Sequence, residues 1–412
     1  MTANPPDPRR APLSFAEFVV LMAATMALPA LAIDTMLPAL PLMGRDFVVA
    51  DGNSLQWVVT LFIMGAGAGQ LVYGPLSDRF GRRPVLLSAL VIYVVLSAVA
   101  SVAPSLRSLL VARVAQGMFV SAATVICRSI VRDCYAGATM ARVLSTIFIV
   151  FLIAPIVAPS LGQLLLLIVS WRGIFGFLGL YAVGVAIWLA IRLPETLRPE
   201  SRRSLAAAHL LEAARFVLTE PASMLYTISM TVMFGSLLAY VATVPQIFAG
   251  AFHAPQLMAV TFAGCAGTMA LASFLNSRIV ERVGMHRVSH AALLGFIVVT
   301  AVHTGVAFFG HETIVTFAVL QSATMACFGL AVSNFGAIAM QPMGALAGSA
   351  ASLQGVISTI GGAVVASLIG HQWSGTVTFL PAGAFGCGIV ALACVLVAEN
   401  AVLFRNRVYP PH

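Results

Sequence analysis

The chain contains no lysine, and all 22 of its basic residues are arginine. This absence excludes a Walker A loop, which places a lysine on the nucleotide phosphates, so we do not expect the chain to hydrolyse ATP. It also excludes Schiff-base chemistry with pyridoxal phosphate or retinal, which needs a lysine amine. We expect no organic cofactor.

Charge of either sign is scarce: charged residues make up 9% of the 412 residues, whereas hydrophobic residues make up 60%. A soluble domain carries about a quarter charged residues. The six cysteines form no CxxC pair, and we interpret them as small packing residues rather than a disulfide framework or metal site. They are Cys127, Cys134, Cys265, Cys327, Cys387 and Cys394.

The hydrophobic residues form blocks of roughly 20 residues, the length that crosses a bilayer as a helix. The blocks are apolar all round, whereas the strands of a membrane barrel alternate apolar and polar residues, so helices are predicted. The pattern predicts an all-α integral membrane protein with twelve spans. They cover residues 16–38, 54–76, 84–103, 107–130, 141–165, 171–192, 222–248, 257–279, 286–309, 314–340, 346–369 and 377–399.

One long gap separates the sixth span from the seventh. We therefore predict an N-terminal six-helix bundle over 1–192, a linker over 193–221 and a C-terminal six-helix bundle over 222–412. Leucine, alanine and valine recur near helical spacing between Leu205 and Leu218, which favours an amphipathic surface helix in the linker.

The arginines are distributed asymmetrically among the loops. With the N-terminus in the cytoplasm, nearly all loop arginines fall on the cytoplasmic side, as the positive-inside rule requires. Only Arg45, Arg107 and Arg172 fall on the other side, and Arg113 lies within a span. This pattern predicts an inner-membrane protein with both termini and the linker in the cytoplasm. The first apolar block is too long for a signal peptide and is interpreted as a retained helix.

The two halves of the chain resemble each other. The loop after the second span reads SDRFGRR over 77–83, and the loop after the eighth reads VERVGMH over 280–286. A weaker similarity relates Gln116-Gly117 to Gln321-Ser322. Internal repeats of this size are typical of secondary transporters.

The loop after the second span belongs to a longer motif, GPLSDRFGRRPVL over 74–86. Physically, Gly74 would let helices approach, Gly81 would permit a tight turn, and Asp78 is an acid at a helix end that could pair with arginine. A simple basic anchor loop is the alternative. The motif resembles the signature loop of the major facilitator superfamily, and the resemblance implies a conformational latch. Its residues are Gly74, Asp78, Arg79, Gly81, Arg82 and Arg83.

Three further motifs resemble the Bcr/CflA drug-resistance branch of that superfamily. DTMLPALP begins at Asp34, RVAQG begins at Arg113, and APIVAPSLGQ covers 154–163. The last resembles the antiporter motif through Pro155, Pro159 and Gly162, but it departs from the common form at two glycine positions. The resemblance covers nearly the whole chain and implies two pseudo-symmetric six-helix bundles.

Charges inside a bilayer are costly and mark functional sites. Asp34 and Arg113 each lie roughly 9 Å from the outer ends of their spans, at 1.5 Å per residue. The resemblance ties the RVAQG motif to proton coupling. We predict that Asp34 binds a proton or a cationic substrate in turn and that Arg113 tunes its pKa. A static ion pair or snorkelling to the interface is the alternative. We interpret Glu17 as interfacial, with a cavity position as its alternative, and Glu399 as a boundary residue at the end of the last span.

Polar and aromatic residues in spans four, seven and ten are candidates for a substrate cavity, which the resemblance places along these helices. Helix–helix hydrogen bonding is the alternative for each of them. They are Gln116, Tyr226, Tyr240, Gln246, Gln321 and Asn334.

Together these features predict a proton-coupled antiporter that exports drugs or small amphipathic molecules by alternating access. Alternatives are an exporter dedicated to one metabolite and, less favoured, a symporter or uniporter. An enzyme is disfavoured because the sequence has no HExxH, paired aspartate-rich or GxSxG motif. A sensor is disfavoured because there is no room for a soluble domain. We expect a monomer in the lipid bilayer, with a small-molecule substrate and no nucleic-acid partner, metal or catalytic residue.

Overall fold

The described part of the protein is helical throughout. The computed structural model describes residues 13–49, 52–135, 153–197 and 219–405, together with six positions between 139 and 147. In the first half the α-helices are α1 (Phe15–Asp34), α2 (Leu40–Asp46), α3 (Trp57–Phe80), α4 (Arg82–Ser101), α5 (Leu106–Cys134), α6 (Ile153–Leu165) and α7 (Trp171–Arg192). In the second half they are α8 (Pro221–Gln246), α9 (Met258–Val283), α10 (Met285–Phe308), α11 (Ile314–Met340), α12 (Ala347–Gly370) and α13 (Phe379–Ala398).

Eleven helical segments of the described chain are long and apolar enough to cross a membrane, which confirms the predicted helical membrane fold. The predicted fifth span, 141–165, lies partly outside the described residues, and its described part is α6. The predicted amphipathic helix of the linker also lies outside them.

The chain divides into two compact units. One combines Met1–Leu42 with Leu61–Ala206, and the other combines Met43–Thr60 with Ala207–His412. The stretch Met43–Thr60, which runs from within α2 to the first turn of α3, therefore groups with the second half of the chain.

Within the first unit, α3 and α5 approach each other closely because glycine lines their contact. A methyl group added at Gly117 would lie 1.9 Å from the carbonyl oxygen of Phe62, and one added at Gly65 would lie 2.1 Å from that of Val114. Only a residue without a side chain fits at either position. The final glycine of the RVAQG motif thus fixes the separation of these two helices.

Within the second unit, α8 is the central helix and packs against α11, α12 and α13. Its buried residues join aromatic rings from the neighbouring helices in one core, which includes Tyr226, Phe296 and Phe335. Aromatic side chains bury large areas, so they dominate such a core.

The two repeated loops share a backbone conformation. Gly81 separates α3 from α4 with φ 102°, and Gly284 separates α9 from α10 with φ 93°. This left-handed conformation favours glycine because it has no Cβ. The tight turn predicted at Gly81 is confirmed, and the similarity of the two loops extends to their geometry.

The Gly117 contact gives the first testable prediction. Replacing Gly117 by alanine would force its methyl group into the backbone of α3, an overpacking that costs about 1–3 kcal/mol. We expect Gly117→Ala to lower the melting temperature of the purified protein in detergent by several degrees. Gly184→Ala in α7 is the matched control, because its added methyl group meets nothing within 4 Å. Equal melting temperatures for the two variants would contradict the close contact.

Candidate functional site

Arg113 lies at the centre of the first unit with an exposed fraction of 0%. Its guanidinium carbon lies 4.0 Å from the centre of the Phe62 ring, a cation–π arrangement. One terminal nitrogen donates to Gln116 Oε1 at 3.3 Å, and the other donates to the carbonyl oxygen of Ala32 at 3.2 Å. The buried charge is thus held by neutral acceptors and a ring face.

The Ala32 carbonyl is available because α1 breaks just beyond it. Met36 N–H, which an unbroken helix would direct to Ala32, instead donates to the carbonyl of Ile33 at 3.2 Å. Pro38 follows and has no N–H with which to continue the ladder. The DTMLPALP motif therefore leaves the Ala32 carbonyl available to accept a hydrogen bond from the Arg113 guanidinium of α5.

Asp34 is the last residue of α1 and is buried, with an exposed fraction of 6%. It lies two residues beyond the carbonyl that Arg113 contacts. Among the described residues, no hydrogen bond or ion pair joins the Asp34 carboxylate to Arg113. The two charged groups share one region of the unit, but the static ion pair considered as an alternative is not formed in this conformation.

Gln116 belongs to the same polar cluster. Besides accepting from Arg113, it donates from Nε2 to Ser97 Oγ of α4 at 2.9 Å, and Ser97 in turn donates to the carbonyl of Tyr93 at 2.9 Å. The side chain is buried. Gln116 therefore positions the guanidinium and links α5 to α4, which favours the helix–helix alternative for this residue.

The antiporter motif lies in α6 and packs against the break in α1. Pro159 and Gly162 are buried within α6, and Pro155 lies one turn earlier and is half-buried. A methyl group at Gly162 would lie 2.1 Å from the carbonyl oxygen of Thr35, the residue after Asp34. The motif thus places α6 directly on the segment that carries the buried carboxylate.

A second charged cluster lies at the other end of the unit, where α3 turns into α4. Arg82 is buried and forms an ion pair with Asp78, donates from Nη1 to Ser77 Oγ at 2.7 Å, and donates from Nε to Asp133 Oδ2 at 2.9 Å. Asp133 closes α5. Arg82 therefore ties the end of α3 to the end of α5.

Glu195 completes this cluster from the segment after α7. Its carboxylate accepts the backbone N–H of Arg82 at 2.9 Å and of Arg83 at 3.1 Å, the first two N–H groups of α4. The Glu195 carboxylate provides an acceptor for these two N–H groups. Its negative charge also interacts favourably with the positive end of the α4 dipole. The sequence motifs did not identify Asp133 and Glu195 as members of this charged cluster.

Three further residues of the signature loop lie outside the side-chain contacts of Arg82. A methyl group at Gly74 would meet no atom within 4 Å in the described protein, so Gly74 does not mediate the close helix approach that Gly65 and Gly117 provide. Arg79 is exposed, and its guanidinium carbon lies 5.2 Å from the centre of the Phe80 ring. Arg83 is half-buried and donates to the carbonyl of Ala190.

The candidate cavity residues of the second unit are mostly bonded to neighbouring helices. Asn334 in α11 donates to Asn276 Oδ1 in α9 at 2.8 Å, and Gln246 at the end of α8 accepts from Gln56 at 2.8 Å. Tyr240 is buried and stacks on Phe262 with ring centres 5.6 Å apart. These contacts favour the helix–helix alternative. Gln321, also buried, stays a candidate for the cavity.

Three further positions refine the sequence interpretation. Glu17 forms a two-point ion pair with Arg192, at 2.7 and 2.8 Å, which agrees with an interfacial position. Tyr226 lies at the beginning of α8 and donates to Glu399 Oε1 at 2.7 Å, so it belongs to a network at a helix end. Glu399 follows α13 directly, which agrees with its interpretation as a boundary residue at the end of the last span, but it is buried, with an exposed fraction of 4%.

The Arg82 cluster leads to the second prediction. Replacing Arg82 by lysine keeps the charge but removes the planar fork that reaches Ser77, Asp78 and Asp133 together. We expect Arg82→Lys to lose about 1–3 kcal/mol of stability, through weakened charged hydrogen bonds in a buried site. Thermal unfolding in detergent measures the loss, with exposed Arg79→Lys as the matched control. Unchanged unfolding in both variants would show that the cluster does not hold α3 to α5.

Comparison with known proteins assigns this chain to a family. The family model described as Major Facilitator Superfamily matches residues 13–366. A bicyclomycin resistance protein homolog of Haemophilus influenzae is 27% identical over 94% of this chain and 95% of its own length. A chloramphenicol resistance protein of Pseudomonas aeruginosa is 31% identical over 86% of this chain and 83% of its own length.

Solved structures agree with this placement at the level of the fold. The crystal structure of a D-xylose-proton symporter matches with a TM-score of 0.76 at 14% identity, covering 96% of this chain and 100% of that one. The chain therefore belongs to the Major Facilitator Superfamily, and its similarity to the resistance proteins confirms the drug-resistance branch predicted from its motifs.

Proposed function

We propose that the protein is a proton-coupled antiporter that exports drugs or small amphipathic molecules by alternating access. The names of the related proteins, which refer to resistance to bicyclomycin and chloramphenicol, support a drug substrate. A single observation in the chain itself carries proton coupling: a carboxylate, Asp34, is buried at a helix break beside the anchoring site of Arg113.

Burial gives Asp34 a reason to bind a proton. A carboxylate held away from water carries its charge at a considerable free-energy cost, and a bound proton removes that cost. Arg113 keeps its proton under physiological conditions, so Asp34 is the group of the two that can exchange one.

The contact of Arg113 with a backbone carbonyl suggests how the proton is linked to movement. While Asp34 is neutral, the guanidinium stays on the carbonyl of Ala32. When Asp34 releases its proton, the new carboxylate attracts the guanidinium more strongly than a neutral carbonyl does. Exchange of one acceptor for the other would shift α5 relative to the end of α1, against which the antiporter motif of α6 packs.

Alternating access also needs contacts that form in one conformation of the protein and break in the other. We propose that the bonds of Arg82 to Asp78 and Asp133 hold one conformation of the first unit and break in the other. Asp78 is suited to this role because it is partly exposed, so water can replace its partner when the cluster opens.

We also propose the orientation indicated by the loop arginines, with both termini in the cytoplasm. In that orientation the Arg82 cluster lies at the cytoplasmic ends of its helices. The break in α1 with Asp34 lies toward the outer side, where a substrate would be released. We propose that the protein acts as a monomer, because each unit encloses its own charged cluster.

The third prediction tests Asp34 directly. Ligands are first identified by thermal shift with chloramphenicol, bicyclomycin and a lipophilic cation, and the compound that binds is then added to unbuffered, detergent-purified protein. We expect the parent protein to release protons on binding and Asp34→Asn to release none, because the amide cannot carry an exchangeable proton. A pH-sensitive dye measures the release.

Two controls make the result specific. Asp46→Asn removes an exposed carboxylate from the same segment of the chain and should release protons as the parent does. Glu17→Gln should lower stability through loss of the Arg192 ion pair while leaving proton release intact. Release by Asp34→Asn equal to that of the parent would exclude Asp34 as the coupling site and would make Glu17 the next candidate.

A further inference from the structure

Four ionisable side chains are buried together at one end of the second unit, away from the residues proposed for coupling. Tyr226 comes from the first turns of α8, His286 and His290 from the first turns of α10, and Glu399 directly follows α13. Their exposed fractions are 0%, 3%, 1% and 4%. Such a concentration of ionisable groups among apolar helices is costly unless the groups satisfy one another.

Hydrogen bonds join the cluster in a chain in which each group donates to the next, from Phe404 N–H to Glu399. The backbone N–H of Phe404 donates to His290 Nδ1 at 3.0 Å. Because a donor faces Nδ1, this nitrogen is the acceptor of the ring, and the network assigns the ring proton to Nε2. Nε2–H then donates to the Tyr226 hydroxyl at 3.1 Å, and that hydroxyl donates to Glu399 Oε1 at 2.7 Å.

The same bonds hold the segment after α13 against α10. Besides the bond to His290, the carbonyl of Phe404 accepts from Arg287 Nε at 3.3 Å, and the Phe404 and His290 rings are in contact with centres 6.0 Å apart. The segment has left-handed backbone at three residues that are not glycine. They are Asn400, Ala401 and Phe404, with φ of 52°, 63° and 66°.

Left-handed backbone at such residues is unfavourable and persists only where surrounding contacts compensate for it. The bond from Phe404 N–H to His290 is one of those contacts. Loss of that bond therefore favours release of the segment.

Protonation of His290 removes this bond. A proton that binds Nδ1 converts the neutral imidazole into an imidazolium with two N–H donors and no acceptor. Phe404 N–H would then face another donor, so the two states exclude each other: either the segment is docked or His290 carries the second proton. Release of the segment also breaks the bond from Arg287 Nε to the Phe404 carbonyl.

Burial of the His290 ring opposes a second proton, and the negative charge of Glu399 favours it. Glu399 from the end of α13 supplies a negative charge through Tyr226, and its Oε1 also lies 3.5 Å from His286 Nε2. On the same helix, His286 and Arg287 are the neighbouring basic groups. The helix α11, which packs against α10, contributes the uncharged ring of Phe335 to this cluster.

The first unit contains the corresponding arrangement with different chemistry. There the turn at Gly81 is followed by Arg82 and Arg83, and Glu195 reaches them from the segment after α7. In the second unit the turn at Gly284 is followed by His286, and Glu399 reaches it from the segment after α13. Arginine is always charged, whereas histidine gains and loses its charge near neutral pH.

We propose that Tyr226, His286, His290 and Glu399 form a second proton-binding site, and that proton uptake at His290 releases the segment 399–404 from α10. The second unit thereby has a proton-controlled version of the cluster that is permanently charged in the first. The site lies outside the proposed coupling region, and its properties do not depend on whether Asp34 exchanges a proton.

The experiment uses the full-length protein in detergent, without substrate, between about pH 3.5 and 8.5. Nitrogen NMR of protein labelled with ¹⁵N-histidine distinguishes the neutral Nε2–H form from the imidazolium, and the His290 signal is assigned by its loss in His290→Gln. Hydrogen–deuterium exchange of the peptide that contains Phe404 reports the amide bond, after correction for the intrinsic pH dependence of exchange.

We expect His290 to be neutral with its proton on Nε2 at the alkaline end and to become an imidazolium within this range. Protection of the Phe404 amide should fall at least tenfold over the same pH interval. His290→Gln should abolish the pH dependence of protection, whereas the exposed control His311→Gln should keep it. A His290 that stays neutral throughout, or protection that does not change while His290 titrates, would overturn the proposal. If His290→Gln fails to fold, hydrogen–deuterium exchange of the parent protein still tests the proposal, because protection of the Phe404 amide that stays constant across the pH range would overturn it.

Discussion

The first unit is organised around the burial of one permanent positive charge, the guanidinium of Arg113. A charge inside an apolar helix bundle is tolerated only where several groups stabilise it together. The Phe62 ring, the Gln116 amide and the carbonyl of Ala32 provide this stabilisation. Two of them depend on separate motifs: Gly117 brings α3 with Phe62 close to α5, and the break in α1 exposes the carbonyl.

This dependence explains why motifs far apart in the sequence converge in the structure. Gly162 in α6 lies against Thr35, so the antiporter motif covers the same break that receives Arg113. The break in turn ends α1 at Asp34. A charge that stays fixed is thus placed beside a carboxylate that can change its state, which is the arrangement a proton-driven conformational change requires.

Much of the fold could be predicted from the sequence because its signals are local. Span positions follow from runs of apolar residues, and the turn at Gly81 follows from a glycine between two helices. The Arg82 partners Asp133 and Glu195 could not be predicted, since they lie 51 and 113 residues from Arg82 in the chain. The network of Tyr226 and Glu399 joins positions 173 residues apart. Gly74 shows the converse error: a family motif position was given a packing role that Gly65 and Gly117 perform.

Transport in proteoliposomes tests the central claim, that proton exchange drives export, most directly. Purified protein is reconstituted with radiolabelled chloramphenicol, or with whichever compound binds in the thermal-shift screen, and a pH difference is imposed as the only energy source. The account predicts that substrate accumulates against its concentration gradient on the acidic side and that reversing the pH difference reverses the direction. Equilibration to equal concentrations regardless of the pH difference would contradict it.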